Sequence, residues 1–270
     1  MSTPPVSVEG SVADWLANQG YVLEYVTHRA LWDAGLPALM SSHVENLDGT
    51  WREIDVSAME QAKKFETECP SIVRLFCECK YSRQQPWVLL TSGLRAHLFA
   101  DWSSLPKSPE LQELESDIAN EASELASTWH FSDEQVFAHA LVQAHRKDNR
   151  DAAFDALQKI TNAAWDMAEA PSRKNKVPSA ILVIPCLIVD APLLWSYYHP
   201  VEQRFIVSKV PYGRLSWSGC RGGTIVDVVQ SESLPQYASS VRTTFSAVLP
   251  VLERFAGKIL KRRESRVAIR

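Results

Sequence analysis

Two runs decide how this chain reads: Leu75-Phe76-Cys77-Glu78-Cys79-Lys80-Tyr81, and before it Trp51-Arg52-Glu53-Ile54-Asp55-Val56-Ser57-Ala58. Both predict β-strands, because their apolar, aromatic and β-branched residues suit a pleated, buried surface. Side chains alternate along a strand, so Glu78 and Lys80 share one face while Cys77 and Cys79 share the other. Sequential strands are usually neighbours, and a pairing of these two lets Asp55 join Glu78 and Lys80. Two acids and a lysine then meet in a largely apolar setting.

Desolvated charge of that kind costs roughly several kcal/mol per ion unless it is paired or bound. A divalent cation held by Asp55, Glu78 and the carbonyl of Cys79 would offset the cost with the hard oxygen donors that Mg²⁺ prefers. Lys80 would then hold a phosphate or a water beside it. The plainer reading is a structural ion pair between Lys80 and one acid, which leaves the other acid unexplained.

Ile54-Asp55 followed by Glu78-Cys79-Lys80 resembles the PD-(D/E)XK motif of the restriction-endonuclease-like nuclease superfamily, with Ile54 where the motif's name has proline. Members of that superfamily commonly carry a further acid on the helix before the first core strand, and Glu24 matches it. The resemblance spans about Leu23 to Leu90. It implies an α/β fold with a restriction-endonuclease-like mixed β-sheet flanked by helices. It also implies a metal-dependent nuclease, an endodeoxyribonuclease first of all, with Mg²⁺ or Mn²⁺ as cofactor. On that reading Asp55, Glu78, Lys80 and Glu24 are catalytic, and Asp55, Glu78 and Cys79 hold the metal. Nucleic acid, DNA foremost, is the partner, and a homodimer or a protein partner stays open. Restriction, phage defence, repair and recombination are all served by the superfamily; a bacterial or phage-related defence role is the expectation.

Composition sets bounds on this reading. The chain has 270 residues and is 46% hydrophobic, enough for one sizeable core. Its formal charge of −4 excludes a molecule coated in positive potential, so any nucleic-acid surface is a local patch. Five cysteines without paired spacing, two of them inside an apolar strand, fit reduced thiols in a cytoplasmic protein. Met1 to Gly10 is polar, lacks the apolar stretch of a signal peptide and reads as a flexible leader. No run approaches the ~20 apolar residues of a membrane span.

The remaining chain is read as one nuclease-like domain over 11–255, with its core in 20–92 and 147–245, a helical insertion at 93–146 after the catalytic strands, and a basic tail at 256–270. Leu23 to Ala34 is an amphipathic helix stopped by Gly35. Asp48-Gly49 joins two strands as a hairpin. Leu111, Leu114, Ile118 and Leu125 form an apolar stripe whose other faces are acidic. Ser132 and Gln135 read as a capping box opening a helix through Arg146. Asp148 to Ala170 is amphipathic and ends at Pro171. Strands follow at Ala180 to Val189, interrupted by Pro185, then at Leu193 to Tyr198, Gln203 to Val210 and Thr224 to Val229. Pro250 is expected to kink or split the last helical region.

Candidate nucleic-acid contacts are Arg83, Gln84 and Gln85 after the second catalytic strand, and Arg173, Lys174 and Lys176 in a basic loop. A third group, Arg214 and Arg221, lies in a strand-end loop with Trp217. An ordinary surface loop and a packed tryptophan are the bland readings of the first and last groups. The tail from Lys258 to Arg266 is a flexible arm for nucleic acid or a solvated helix end. There is no Walker loop, nucleophile elbow or Cys-His pairing. The alternative to a nuclease is a catalytically silent module of the same fold that binds nucleic acid or a protein partner.

Overall fold

The computed structural model describes residues 7–64, 68–82, 85–95, 102–131, 136–145, 152–174, 176–219 and 222–268. Its helices are α1 (Val8–Ala17), α2 (Tyr21–Asp33), α3 (Pro109–Gln112), α4 (Glu115–Glu121), α5 (Ala152–Lys174) and α6 (Leu234–Ala268). Its strands are β1 (Ala38–Glu45), β2 (Trp51–Gln61), β3 (Ser71–Tyr81), β4 (Trp87–Arg95), β5 (Val136–Gln143), β6 (Ala180–Asp190), β7 (Leu193–His199), β8 (Arg204–Lys209), β9 (Tyr212–Gly219) and β10 (Gly222–Gln230). They form one mixed sheet in the order β1-β2-β3-β6-β10-β9-β5-β4-β7-β8.

The α/β class follows from the sheet's centre. β3, β6 and β10 run parallel, and β6 is buried over nearly its whole length because helices cover both faces. On one face lie α2 and α6, with Leu23, Leu31, Tyr237, Val241, Phe245 and Phe255 packed on Val73, Leu75, Cys77, Leu182 and Ile184. On the other lies α5, whose Ala153, Ala156, Leu157, Ile160, Ala163 and Ala164 meet Ile54, Phe76, Ile181, Val183 and Leu187. Alternation of β3 and β6 residues between these two layers is the period-2 rule at work.

Pro185 does not interrupt β6. The partner β10 joins only from Cys186 onward, so the proline sits where one flank is unpaired, a place that tolerates a missing donor. Nor does Pro250 split α6, which continues through it.

Several expectations for the later chain are corrected. The helix expected through Arg146 is instead β5, which joins β4 and β9. Ser132, Gln135 and Arg146 lie outside the described residues, but Val136 and Phe137 carry β propensity, and the edges of β4 and β9 recruit the segment. Residues 93–146 are therefore not a wholly helical insertion. Their helical part does bury the expected stripe, with Leu111, Leu114, Ile118 and Leu125 in the α6 layer. Lys107 anchors it: fully buried, its ammonium donates to the carbonyls of Trp102 (2.9 Å), Ser103 (2.9 Å) and Leu105 (3.2 Å) and pairs with Glu115 at 2.8 Å.

The tail is no free arm. α6 runs to Ala268, and its Arg254, Lys258 and Arg262, each one turn apart, pair with Glu124, Glu121 and Asp117 of the acidic segment. Acidic and basic stripes that looked separate in the sequence neutralise each other. Residues 1–6 of the expected leader lie outside the described residues, and Val8–Gly10 already belong to α1. Among the described residues no helix is long and apolar enough to cross a membrane.

Candidate functional site

β2 and β3 pair from Gln61↔Ile72 to Val56↔Cys77, and their ladder ends there. One residue further, the Cys79 amide donates to Asp55 Oδ2 at 2.7 Å, so a carboxylate takes the place of a backbone acceptor. The cause lies partly in β1. Its pairing with β2 holds Met40↔Val56 and Ser42↔Ile54 but lacks the rung between Ser41 and Asp55, and Ser41 has φ 49°. A serine in the left-handed region turns the strand. Before that point Ala38, Met40, Val56 and Ala58 face the α6 layer; beyond it Val44 and Ile54 face the α5 layer. Asp55 falls at this change of face, in the parting between β2 and β3, where both helical layers reach it.

From the α5 side comes Lys159. Its Nζ lies 2.6 Å from Glu78 Oε2 and 3.3 Å from Asp55 Oδ1, bridging the two carboxylates. Lys80 Nζ donates to Glu78 Oε1 at 2.7 Å, so both oxygens of a carboxylate that is only 1% exposed face an ammonium. Each lysine side chain is about a third exposed. Burial works to lower the pKa of Lys159, but Glu78 and then Asp55 outweigh it, and the net shift is upward.

From the other side comes α2. Thr27 Oγ1 lies 3.7 Å from Cys79 Sγ, and the helix start rests near Tyr81. This brings Glu24 within electrostatic reach: burial, then the carboxylates of Asp55 and Glu53, push its carboxyl above the usual range, Lys159 opposing and Glu78 adding. Burial and then Asp55 hold the Cys79 thiol well above its usual range, so it stays protonated. Its backbone carbonyl, which leaves a strand on the same side as the amide, points toward β2 beyond the end of the ladder.

Asp55, Glu78, Lys80 and the backbone of Cys79 therefore meet at the carboxyl end of β3, with Glu24 near. Among the described residues no three His, Cys, Asp or Glu side chains converge as a ready cage for an ion. The donors present are two carboxylates and one carbonyl, all hard oxygen, a set that suits Mg²⁺ completed by water. Lys159 places an ammonium between the two carboxylates.

Sequence reading missed Lys159. The signal was there: it stands three residues after Ala156 and four before Ala163, a lysine on the flank of α5's buried stripe with small neighbours that leave its stem room.

Among the described residues, Arg173, Lys174, Lys176 and Arg214 do not gather around this centre. Arg214 is a correction: it lies in β9, not in a loop, and is 1% exposed. Its Nε donates to Asp227 Oδ1 at 3.1 Å and its guanidinium to the His130 carbonyl at 2.6 Å. Trp217 is also in β9, packed edge-on against Phe154. Arg173 pairs with Glu169, and Lys174 pairs with Glu45 and donates to the Asn46 carbonyl at 2.6 Å. They sit at the far end of α5, about 15 residues and so about 22 Å along the helix from Lys159. Lys176 lines a cleft of about 240 Å³ with Glu110, Arg262 and Arg263, away from the carboxylates. Gln85 donates to the His145 carbonyl at 3.5 Å. Arg83, Gln84 and Arg221 lie outside the described residues.

No protein-family model, curated protein or solved structure matches the chain.

Proposed function

We propose that the protein is a divalent-metal-dependent nuclease acting on phosphodiester bonds, DNA first among its substrates, as the resemblance of Asp55 and Glu78-Cys79-Lys80 to the PD-(D/E)XK motif implies. One observation carries the reading. Two carboxylates from adjacent strands are held where those strands part, close enough to share one cation through Lys159, at the end of a parallel strand where open α/β sheets place their ligands.

Asp55, Glu78 and the Cys79 carbonyl would hold Mg²⁺ or Mn²⁺. When bound, the ion supplies Lewis-acid activation of water and neutralises phosphate charge. The chain's own residues do the rest. Glu78 is buried and pinned on both oxygens, so it keeps its orientation. Asp55 is fixed through the Cys79 amide, leaving Oδ1 toward the shared centre. Lys80, with its side chain about a third exposed, can turn from Glu78 to a phosphoryl oxygen on which charge builds. Glu24, with its raised pKa, is suited to hold or pass a proton near the same centre.

Purified protein should cut DNA with Mg²⁺ or Mn²⁺ and stop with chelator. Asp55→Asn and Lys80→Ala should stay folded and lose about 10² or more in rate. Cutting by either variant at the wild-type rate would remove the mechanism. A panel of single-stranded DNA, duplex DNA and RNA sets the substrate.

A second reading has its own support: the two lysines already balance the carboxylates, so the centre is complete in charge without a metal. On that view the protein is a silent module binding nucleic acid or a protein partner. It would take up no Mn²⁺, and Lys80→Ala would leave its nucleic-acid affinity unchanged.

A further inference from the structure

We infer that Lys159 is a resident counter-ion of the Asp55–Glu78 pair, standing where a divalent cation binds, and that metal uptake proceeds by exchange with its ammonium. The inference rests on the metal-dependent reading above and deepens it by naming what regulates metal entry.

Three features support exchange over a permanent ion pair. Lys159 Nζ contacts the same two carboxylates that would share the ion, at 2.6 Å and 3.3 Å, so an ammonium and a divalent cation compete for one set of oxygens. Its side chain is 32% exposed, so the ammonium has a way out to water, whereas Glu78 at 1% cannot follow it. Its stem is flanked at helical spacing by Ala156 and Ala163, which give it room to swing. Lys80 pairs with Glu78 Oε1, and Oε2 needs a positive partner of its own: Lys159 supplies it before the metal arrives, and the metal afterwards.

The cost of moving Lys159 is subtracted from metal affinity, so removing its charge should tighten binding. The test is Mn²⁺ titration, read as free Mn²⁺ by electron paramagnetic resonance, with thermal melts of the same samples. Wild type, Lys159→Met, Lys159→Gln and Asp55→Asn are compared. Lys159→Met should bind Mn²⁺ at least about tenfold more tightly than wild type. It should also melt lower than wild type without metal and gain more from saturating Mn²⁺. If the Met variant does not fold, Lys159→Gln, which keeps a donor but no charge, shows the same tightening. Uptake that requires Asp55 but is equal or weaker in both Lys159 variants overturns the exchange and leaves the metal centre standing. No Asp55-dependent uptake by any protein overturns the metal-dependent reading as well.

Discussion

Replacing Arg214 with methionine separates two roles that the sequence alone could not tell apart. Loss of a phosphate-gripping arginine would weaken affinity and spare the fold; loss of an arginine buried against Asp227 should do the reverse. Arg214 and Asp227 have side chains with no exposed surface. Asp227 also receives the Tyr237 hydroxyl at 2.7 Å and meets His130 Nε2 at 2.8 Å, while His130 Nδ1 meets Thr244 Oγ1 at 2.7 Å. Removing one member of a buried ion pair costs about 3–5 kcal/mol, because the other cannot regain water. At about 2–4 °C per kcal/mol for a chain of this size, Tm should fall by about 6–20 °C.

The loss should also depend on pH. In the wild type, burial depresses the pKa of His130, Asp227 opposing and Arg214 adding to the depression. A depressed histidine binds its proton more readily in the unfolded chain, so wild-type stability falls as pH drops below about 6.5. Without Arg214, the His130 imidazolium can form beside Asp227 and restore the missing charge. The gap between Arg214→Met and wild type should therefore narrow from about pH 8 to about pH 6. Melts across that range, with nucleic-acid binding measured in the cold where the variant is folded, decide the matter. A Tm within about 2 °C of wild type, or weakened binding by a fully folded variant, would refute the reasoning.

Two further outcomes follow from buried charge. Lys107→Met leaves three carbonyls without their donor and should cost about 2–4 kcal/mol by urea denaturation, with Glu115, partly in water, losing little. Glu24→Gln should raise Tm near pH 8: the folded-state pKa is raised, so the wild type loses stability as pH rises through it, and the gain should vanish near about pH 3, where the carboxyl is protonated in both states.

Local signals carried much of this protein. Apolar and β-branched runs marked β2, β3 and β6, Asp48-Gly49 marked the β1–β2 hairpin, and 3.6-residue stripes marked α2 and α5, because each depends on neighbours a few residues apart. The pairing of Glu78 with Lys80 belongs to the same class, two positions on one pleat. Tertiary structure alone decided the rest. β5 read as helix until strands from distant parts of the chain offered it edges. The tail stayed open between a flexible arm and a helix end until α4 brought its carboxylates alongside. Arg214 looked like a surface charge until Asp227 and His130 closed over it. Lys159, 104 residues from Asp55 along the chain, reaches the carboxylates only because α5 crosses back over the sheet at the parting of β2 and β3. Hydrophobic patterning specifies which face is buried, but charge partners are chosen by the folded chain, since a buried ion is satisfied by whatever opposite charge the packing brings within reach.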